Sequence, residues 1–75
     1  MVSFDYSKLR GRIVEKGLTQ GRLSEELGIT PQSFSKKMQN ETRFSTDDII
    51  QLSEAVEIEP AEIGAYFFTP SVEQS

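Results

Sequence analysis

Four consecutive residues, Gly28-Ile29-Thr30-Pro31, constrain the fold of this chain more than any other feature. Glycine tolerates the left-handed backbone conformation that ends many helices. Threonine is a good N-cap, and proline at the first helical position loses no hydrogen bond there. One helix must therefore end and another begin within a few residues. The pattern predicts two short helices, Gln20 to Leu27 and Pro31 onward, joined by a tight turn.

Helical spacing of apolar residues predicts three further helices, so the expected fold class is all-α with five helices. Asp5 can cap the first, and Gly17 can end it. The fourth begins with hydroxyl caps followed by acids and carries a broad apolar stripe that suggests a central position. The three helices are Tyr6 to Lys16, Ser45 to about Val56, and Glu59 to Phe68; the stripe is Ile49, Ile50, Leu52, Ala55 and Val56.

The length of 75 residues suits one compact domain, expected over residues 1–68, with residues 69–75 as a disordered tail. Cysteine and histidine are absent, which excludes disulfides and thiolate or imidazole metal sites; no metal or other cofactor is expected. The first residues resemble neither a signal peptide nor a membrane span. A cytoplasmic protein with no membrane partner is predicted.

The net charge of −4 is unevenly divided along the chain. All eight basic residues lie in residues 1–43, together with five acids, whereas residues 44–75 hold seven acids and no base. A locally basic face could thus meet a polyanion while the acidic part points elsewhere. The alternative is that these charges only solvate the surface.

The predicted second and third helices meet the physical demands of a unit that places a helix in the major groove of DNA. Such a unit needs a small residue within its first helix, glycine where the chain reverses, and apolar residues that fix the angle between the helices. Ser24, Gly28, Ile29 and Phe34 meet these demands. Phe34 and Met38 form the buried stripe of the third helix.

The segment Thr19 to Met38 resembles the Cro/repressor (XRE-type) helix-turn-helix family of temperate phages and bacteria. The resemblance lies in Gln20 at the start of helix 2, Leu23-Ser24, the turn Gly28-Ile29-Thr30, and Phe34 to Met38. It implies a five-helix lambda-repressor-like domain and a small phage-like regulator of transcription. Such a protein would bind double-stranded DNA sequence-specifically, with helix 3 reading the major groove.

The same resemblance implies roles for individual residues. Gln20 would contact a phosphate, Thr30 would cap helix 3 beside the DNA backbone, and Gln32, Ser33 and Lys36 would read base edges. Glutamine can pair with adenine and lysine with guanine, whereas serine is less specific. Lys37 and Arg43 would hold phosphates. For each residue the alternative is an ordinary solvated side chain.

Two other functions compete with DNA binding. In the first, the protein is an antirepressor: its acidic part, residues 44–75, or the aromatic run Tyr66-Phe67-Phe68 docks onto a partner repressor. The aromatic run could instead close helix 5 on helix 1 or form a homodimer contact. In the second, the protein is an enzyme. The sequence argues against an enzyme, because the pairs Glu25-Glu26 and Asp47-Asp48 point to different helix faces and do not converge.

Overall fold

The computed structural model describes residues 3–71. Within this range five α-helices follow one another: Ser7–Glu15 (α1), Gln20–Leu27 (α2), Pro31–Met38 (α3), Thr46–Ala55 (α4) and Ile63–Phe67 (α5). A 3-10 turn, Pro60–Glu62, leads directly into α5. The only extended pairing among these residues is one isolated bridge, so the predicted all-α class is confirmed. None of the helices described is long and apolar enough to cross a bilayer.

Hydroxyl side chains begin three helices, as the sequence predicts. The Thr19 Oγ1 accepts a hydrogen bond from the Arg22 amide, and the Thr30 Oγ1 accepts one from the Ser33 amide, each at 3.1 Å. Ser45 begins α4 with a reciprocal pair: its Oγ accepts from the Asp48 amide while its own amide donates to the Asp48 carboxylate. Each cap satisfies amides that have no partner inside the helix.

The four longer helices all end in the same way. Each is followed by a residue in the left-handed conformation, and the next amide donates to a carbonyl five residues back. The sequence predicts the two glycine endings but not the other two. The left-handed residues are Gly17, Gly28, Asn40 and Glu57, with φ of 71°, 70°, 65° and 56°. Leu18, Ile29 and Ile58 follow three of them and fold back onto the core.

One continuous core lies at the centre of the bundle. Its buried apolar residues are Tyr6, Leu9, Ile13, Leu23, Phe34, Met38, Leu52, Val56, Ile58, Tyr66 and Phe67. Phe44, from the loop between α3 and α4, packs edge-on against three aromatic rings, those of Tyr6, Phe34 and Phe67. This loop residue thus ties together α3, α5 and the chain segment before α1.

The helices after residue 43, α4 and α5, pack largely as predicted, with one exception. Tyr66 and Phe67 are buried and α5 packs on α1, in agreement with a role in closing the core. Phe68, in contrast, is half exposed and meets Phe4 edge-on. Ile50 was expected in the buried stripe of α4 but is 48% exposed. Ile49 packs against the core, whereas Ile50 lies about 100° further around the helix, on the side that carries the exposed Asp47 and Glu54.

The two ends of the described chain pair with each other. The Asp5 amide donates to the Thr69 carbonyl and the Ser71 amide to the Ser3 carbonyl, on either side of the bridge between Phe4 and Pro70. Residues 69–71 of the predicted tail are therefore joined to the domain by hydrogen bonds. The rest of that tail, residues 72–75, lies outside the described residues.

Candidate functional site

The turn between α2 and α3 is held by backbone geometry and buried packing. Gly28 reverses the chain, and the Ile29 amide donates to the Ser24 carbonyl at 3.0 Å. Ser24 is fully buried, and its hydroxyl donates to the Gly21 carbonyl at 2.7 Å. This small side chain satisfies its hydroxyl within α2, so α2 can pack closely against α3 and α4. The predicted roles of Ser24 and Gly28 in the turn are confirmed.

The outer face of α3 is polar and carries little charge. Gln32 and Lys36 are exposed and lie one turn apart, so they share a face, and Gln39 continues the same line. The Gln39 amide group donates to the Ser35 hydroxyl at 3.0 Å. Gln39 is absent from the predicted site, although its helical spacing from Gln32 and Lys36 was the signal that could have included it.

Thr30 and Ser33 are joined by two hydrogen bonds at the start of α3. Besides accepting the Ser33 amide, the Thr30 hydroxyl donates to the Ser33 Oγ at 3.1 Å. Ser33 is half-buried. Both predicted site residues therefore take part in capping α3, and the Ser33 hydroxyl, which is the acceptor in this pair, keeps its own O–H group to donate to a ligand.

Lys37 is engaged within the fold. Its ammonium lies 3.1 Å from the Asp48 carboxylate and donates to the Arg43 carbonyl at 2.9 Å. The side chains of Lys37 and Asp48 are only 16% and 15% exposed. Burial works to raise the pKa of the Asp48 carboxyl, but hydrogen bonds from Ser45 and Lys37 together bring it below its ordinary value. Lys37, predicted as a phosphate contact, thus joins α3 to the start of α4.

Arg43 lies beside the N-terminal segment. Its guanidinium group stands 4.9 Å from the centre of the Phe4 ring. Asn40 holds the same segment: its side chain accepts from the Phe4 amide and donates to the Phe4 carbonyl, both at 2.9 Å. Sequence reasoning missed this contact because Phe4 and Asn40 are 36 positions apart. The N-terminal segment therefore packs against the exposed Arg43 through the Phe4 ring.

Gln20 is the first residue of α2 and is exposed. It lines a shallow groove of about 230 Å³ together with Thr19 and residues of α1, among them Arg10 and Val14. The Arg10 guanidinium donates to the Met38 carbonyl at the end of α3. The side chains of α1 thereby border both ends of the α2–α3 unit.

The α2–α3 unit has almost no net charge available for a polyanion. Between Gln20 and Gln39 it contains three bases, Arg22, Lys36 and Lys37, and two acids, Glu25 and Glu26. Because Lys37 is paired with Asp48, the remaining bases and acids balance. The residues described also contain no cluster of three carboxylates placed to hold a metal ion.

Comparison with known proteins places the chain in a family. The structure is similar to the solution structure of the modulator of repression (MOR) of the temperate bacteriophage TP901-1 from Lactococcus lactis, with a TM-score of 0.75 and 32% sequence identity. The match covers 95% of this chain and 96% of the other. No curated protein matches this chain. Residues 2–70 match a family model, and the chain therefore belongs to the family described as protein of unknown function DUF739.

Proposed function

We propose that this protein is a phage regulatory protein that modulates repression by docking onto a partner repressor. The observation that carries the proposal is the similarity to MOR, at 32% identity over almost the whole of both chains. The relative is named for an action on repression, and the shared fold extends beyond the turn between α2 and α3 to all five helices. This favours the antirepressor alternative over direct DNA binding.

The electrostatics of α3 support the same choice. Affinity for duplex DNA comes largely from cations that neutralise phosphates. Of the two lysines on α3, Lys37 is bound to Asp48, which leaves Lys36 to face outward. A protein partner needs fewer cations, because apolar contact and hydrogen bonds can supply the binding free energy.

A three-part binding experiment tests the proposal. A repressor from the same genome is titrated with this protein in a calorimeter, this protein is titrated with the operator duplex, and the repressor–operator complex is challenged with this protein. We expect binding to the repressor, weak binding to the duplex, and release of the operator. Salt-sensitive binding to the operator together with no binding to the repressor would contradict the proposal.

Direct DNA binding is the second candidate, and the geometry of the α2–α3 unit favours it. We infer that Thr19, Gly28 and Thr30-Pro31 build a helix-turn-helix of the Cro/repressor type in a lambda-repressor-like domain, which would act on duplex DNA as a homodimer. On this reading Gln32→Ala should cost about 1–3 kcal/mol and relax base preference. Arg43→Ala should weaken binding to all sequences alike. Fluorescence anisotropy at low salt measures both variants, and unchanged affinity in both would exclude this second function.

A further inference from the structure

An apolar groove lies between α4 and α5, lined by residues 50–63 and by none of α1, α2 or α3. Its volume is about 350 Å³. Three isoleucines, Ile50, Ile58 and Ile63, are among its lining residues, and Ile50 is 48% exposed. Pro60, Ser53 and Glu54 complete the lining. A concave apolar surface of this kind can receive the apolar face of an amphipathic helix.

The rim of this groove is acidic. On α4, Asp47, Ile50 and Glu54 have the spacing that places them along one helix face, so a carboxylate lies on either side of Ile50. Glu59 directly precedes Pro60 and Glu62 directly precedes Ile63, and both Pro60 and Ile63 line the groove. All four acids are exposed, and within residues 3–71 none of them makes an ion pair.

Basic side chains of the protein do not neutralise this rim. The chain contains no lysine or arginine after Arg43. Two cations at the C-terminal end of α1 are bound at the end of α4. The Arg12 guanidinium donates to the Val56 and Glu57 carbonyls, and the Lys16 ammonium lies 2.7 Å from the Glu57 carboxylate. The field at the mouth of the groove is therefore negative and favours a cationic ligand.

The groove wall also contains a hydroxyl group that has no hydrogen-bond partner among the residues described, that of Ser53. Ser53 is only 6% exposed, and its hydroxyl has no partner within the described residues. A buried hydroxyl without a partner destabilises the fold. Rotation about χ1 can turn this group toward the groove, where it could bond a polar group of a ligand.

We propose that this groove binds a basic amphipathic segment of the partner repressor, an inference that rests on the proposed function. Apolar side chains of the segment would enter between Ile50 and Ile63, and its flanking Lys or Arg side chains would meet the four acids of the rim. A volume of about 350 Å³ accommodates the few side chains that one face of a short helix presents. A symmetric dimer through this groove is disfavoured, since it would bring Glu54, Glu59 and Glu62 against like charges.

The first test uses a peptide probe and the full chain. The probe is a helical peptide of roughly 14 residues with leucines at the i, i+4 and i+7 positions and lysine or arginine beside them. Amide chemical shifts in ¹⁵N NMR spectra should change at Ile50, Ser53 and Ile63 and stay constant along α3. A matched peptide with glutamate in place of every base should not bind. Equal binding of both peptides, or shifts confined to α3, overturns the groove assignment.

The second test measures how variants of this chain bind the peptide and the repressor. Ile50→Asp, and separately the double variant Glu59→Lys/Glu62→Lys, should weaken binding by about tenfold or more. Matched controls lie outside the groove: Val14→Asp changes an apolar residue that is 75% exposed on α1, and Glu25→Lys/Glu26→Lys reverses two charges on α2. The controls should bind the peptide within about twofold of the unaltered chain.

The two tests separate this inference from the function on which it rests. If the unaltered chain binds the repressor but the groove variants bind it equally well, the groove assignment is wrong and the proposed function stands. If the chain binds the basic peptide in the groove but no repressor, the proposed function fails and the groove remains a site for basic segments. A dimer in analytical ultracentrifugation that Ile50→Asp abolishes would show a second copy in the groove and overturn the proposal.

Discussion

Lys36 and Lys37 are neighbours of the same residue type, yet the fold uses them differently. Lys36 is exposed, whereas the Lys37 ammonium binds both Asp48 and the Arg43 carbonyl. The Lys37 ammonium joins the α3–α4 loop to α4, and its removal leaves the Arg43 carbonyl without this donor and the Asp48 carboxylate without its cation. The first lysine is thus available for a ligand, and the second contributes to stability.

Lys37→Met should therefore lower the free energy of unfolding by about 1–2 kcal/mol, although methionine keeps most of the apolar stem. Lys36→Met is the matched control and should change it by less than about 0.5 kcal/mol. Chemical denaturation followed by circular dichroism measures both. Equal effects of the two substitutions would show that the contact between Lys37 and Asp48 contributes nothing to the folded state.

The Asp48 carboxylate should make stability depend on pH in the acid range. Hydrogen bonds from Ser45 and Lys37 outweigh the effect of burial and hold the pKa of Asp48 below its ordinary value of 3.8. A group with a lowered pKa in the folded state stabilises the fold above the unfolded pKa, and this contribution is lost as pH falls through the folded pKa. The stability advantage of the unaltered chain over Asp48→Asn should therefore be constant near neutral pH and decline below about pH 4.

Urea denaturation across the acid range measures this difference. The control is Lys37→Met, in which the Asp48 carboxylate keeps the hydrogen bond from the Ser45 amide but loses its cation. The difference between Lys37→Met and the double variant Lys37→Met/Asp48→Asn should vary less with pH. A difference between the unaltered chain and Asp48→Asn that stays flat down to about pH 2 would contradict the assignment.

At the scale of the helices, the ends of the elements determine the bundle. α1 and α2 end on glycines in the left-handed conformation, and at Gly28 an added Cβ would meet no atom within 4 Å. The cost of Gly28→Ala is therefore backbone strain, about 1–2 kcal/mol. Gly11→Ala is the opposite case, because Gly11 lies inside α1 with equally open space and should stabilise the protein by about 0.5–1 kcal/mol.

Thermal denaturation of the two glycine variants checks this prediction. The two substitutions add the same methyl group, so opposite signs isolate the backbone conformation as the cause. If both variants were stabilised, the turn between α2 and α3 would not require the left-handed conformation, and the basis for a fixed angle between these helices would be lost.

The sequence predicts those features that local chemistry determines. The caps Thr19, Thr30 and Ser45 and the two glycine endings act over a few residues, so their patterns can be read directly. Other features depend on residues far apart in the chain. Asn40 acquires its role only when Phe4 lies beside it, and Lys37 only when the start of α4 approaches α3.

The same distinction applies to the candidate sites. The polar face of α3 follows from helical spacing, and Gln32 and Lys36 are exposed on it. The groove could not be predicted, because its walls come from two elements whose relative position only the folded structure gives. Ile50 illustrates this contrast between local pattern and folded structure. Its residue type predicts burial, whereas its position on α4 leaves it at the surface.

At the scale of the whole molecule, the basic and acidic residues differ in how many of them remain exposed. All eight bases precede residue 44, and several of them are bound internally: Arg10 and Arg12 to carbonyls, and Lys16 and Lys37 to carboxylates. The acids of α4 and of the segment before α5 remain exposed at the groove. The molecule therefore presents a negative face more strongly than a positive one, which suits a basic protein partner better than a nucleic acid.

This distribution predicts how salt affects binding to the repressor. The Debye length falls from about 10 Å at 0.1 M salt to about 3 Å at 1 M, so steering by the acidic rim should be largely lost across that range. Stopped-flow measurements should show an association rate about tenfold lower at 1 M, with a dissociation rate that changes by less than about threefold. In Glu59→Lys/Glu62→Lys the association rate should depend less on salt, because the two new lysines balance the remaining charges of Asp47 and Glu54. Salt-independent association of the unaltered chain would mean that the acidic rim does not guide the encounter, and apolar contact with Ile50, Ile58 and Ile63 would then have to supply the specificity of the complex by itself.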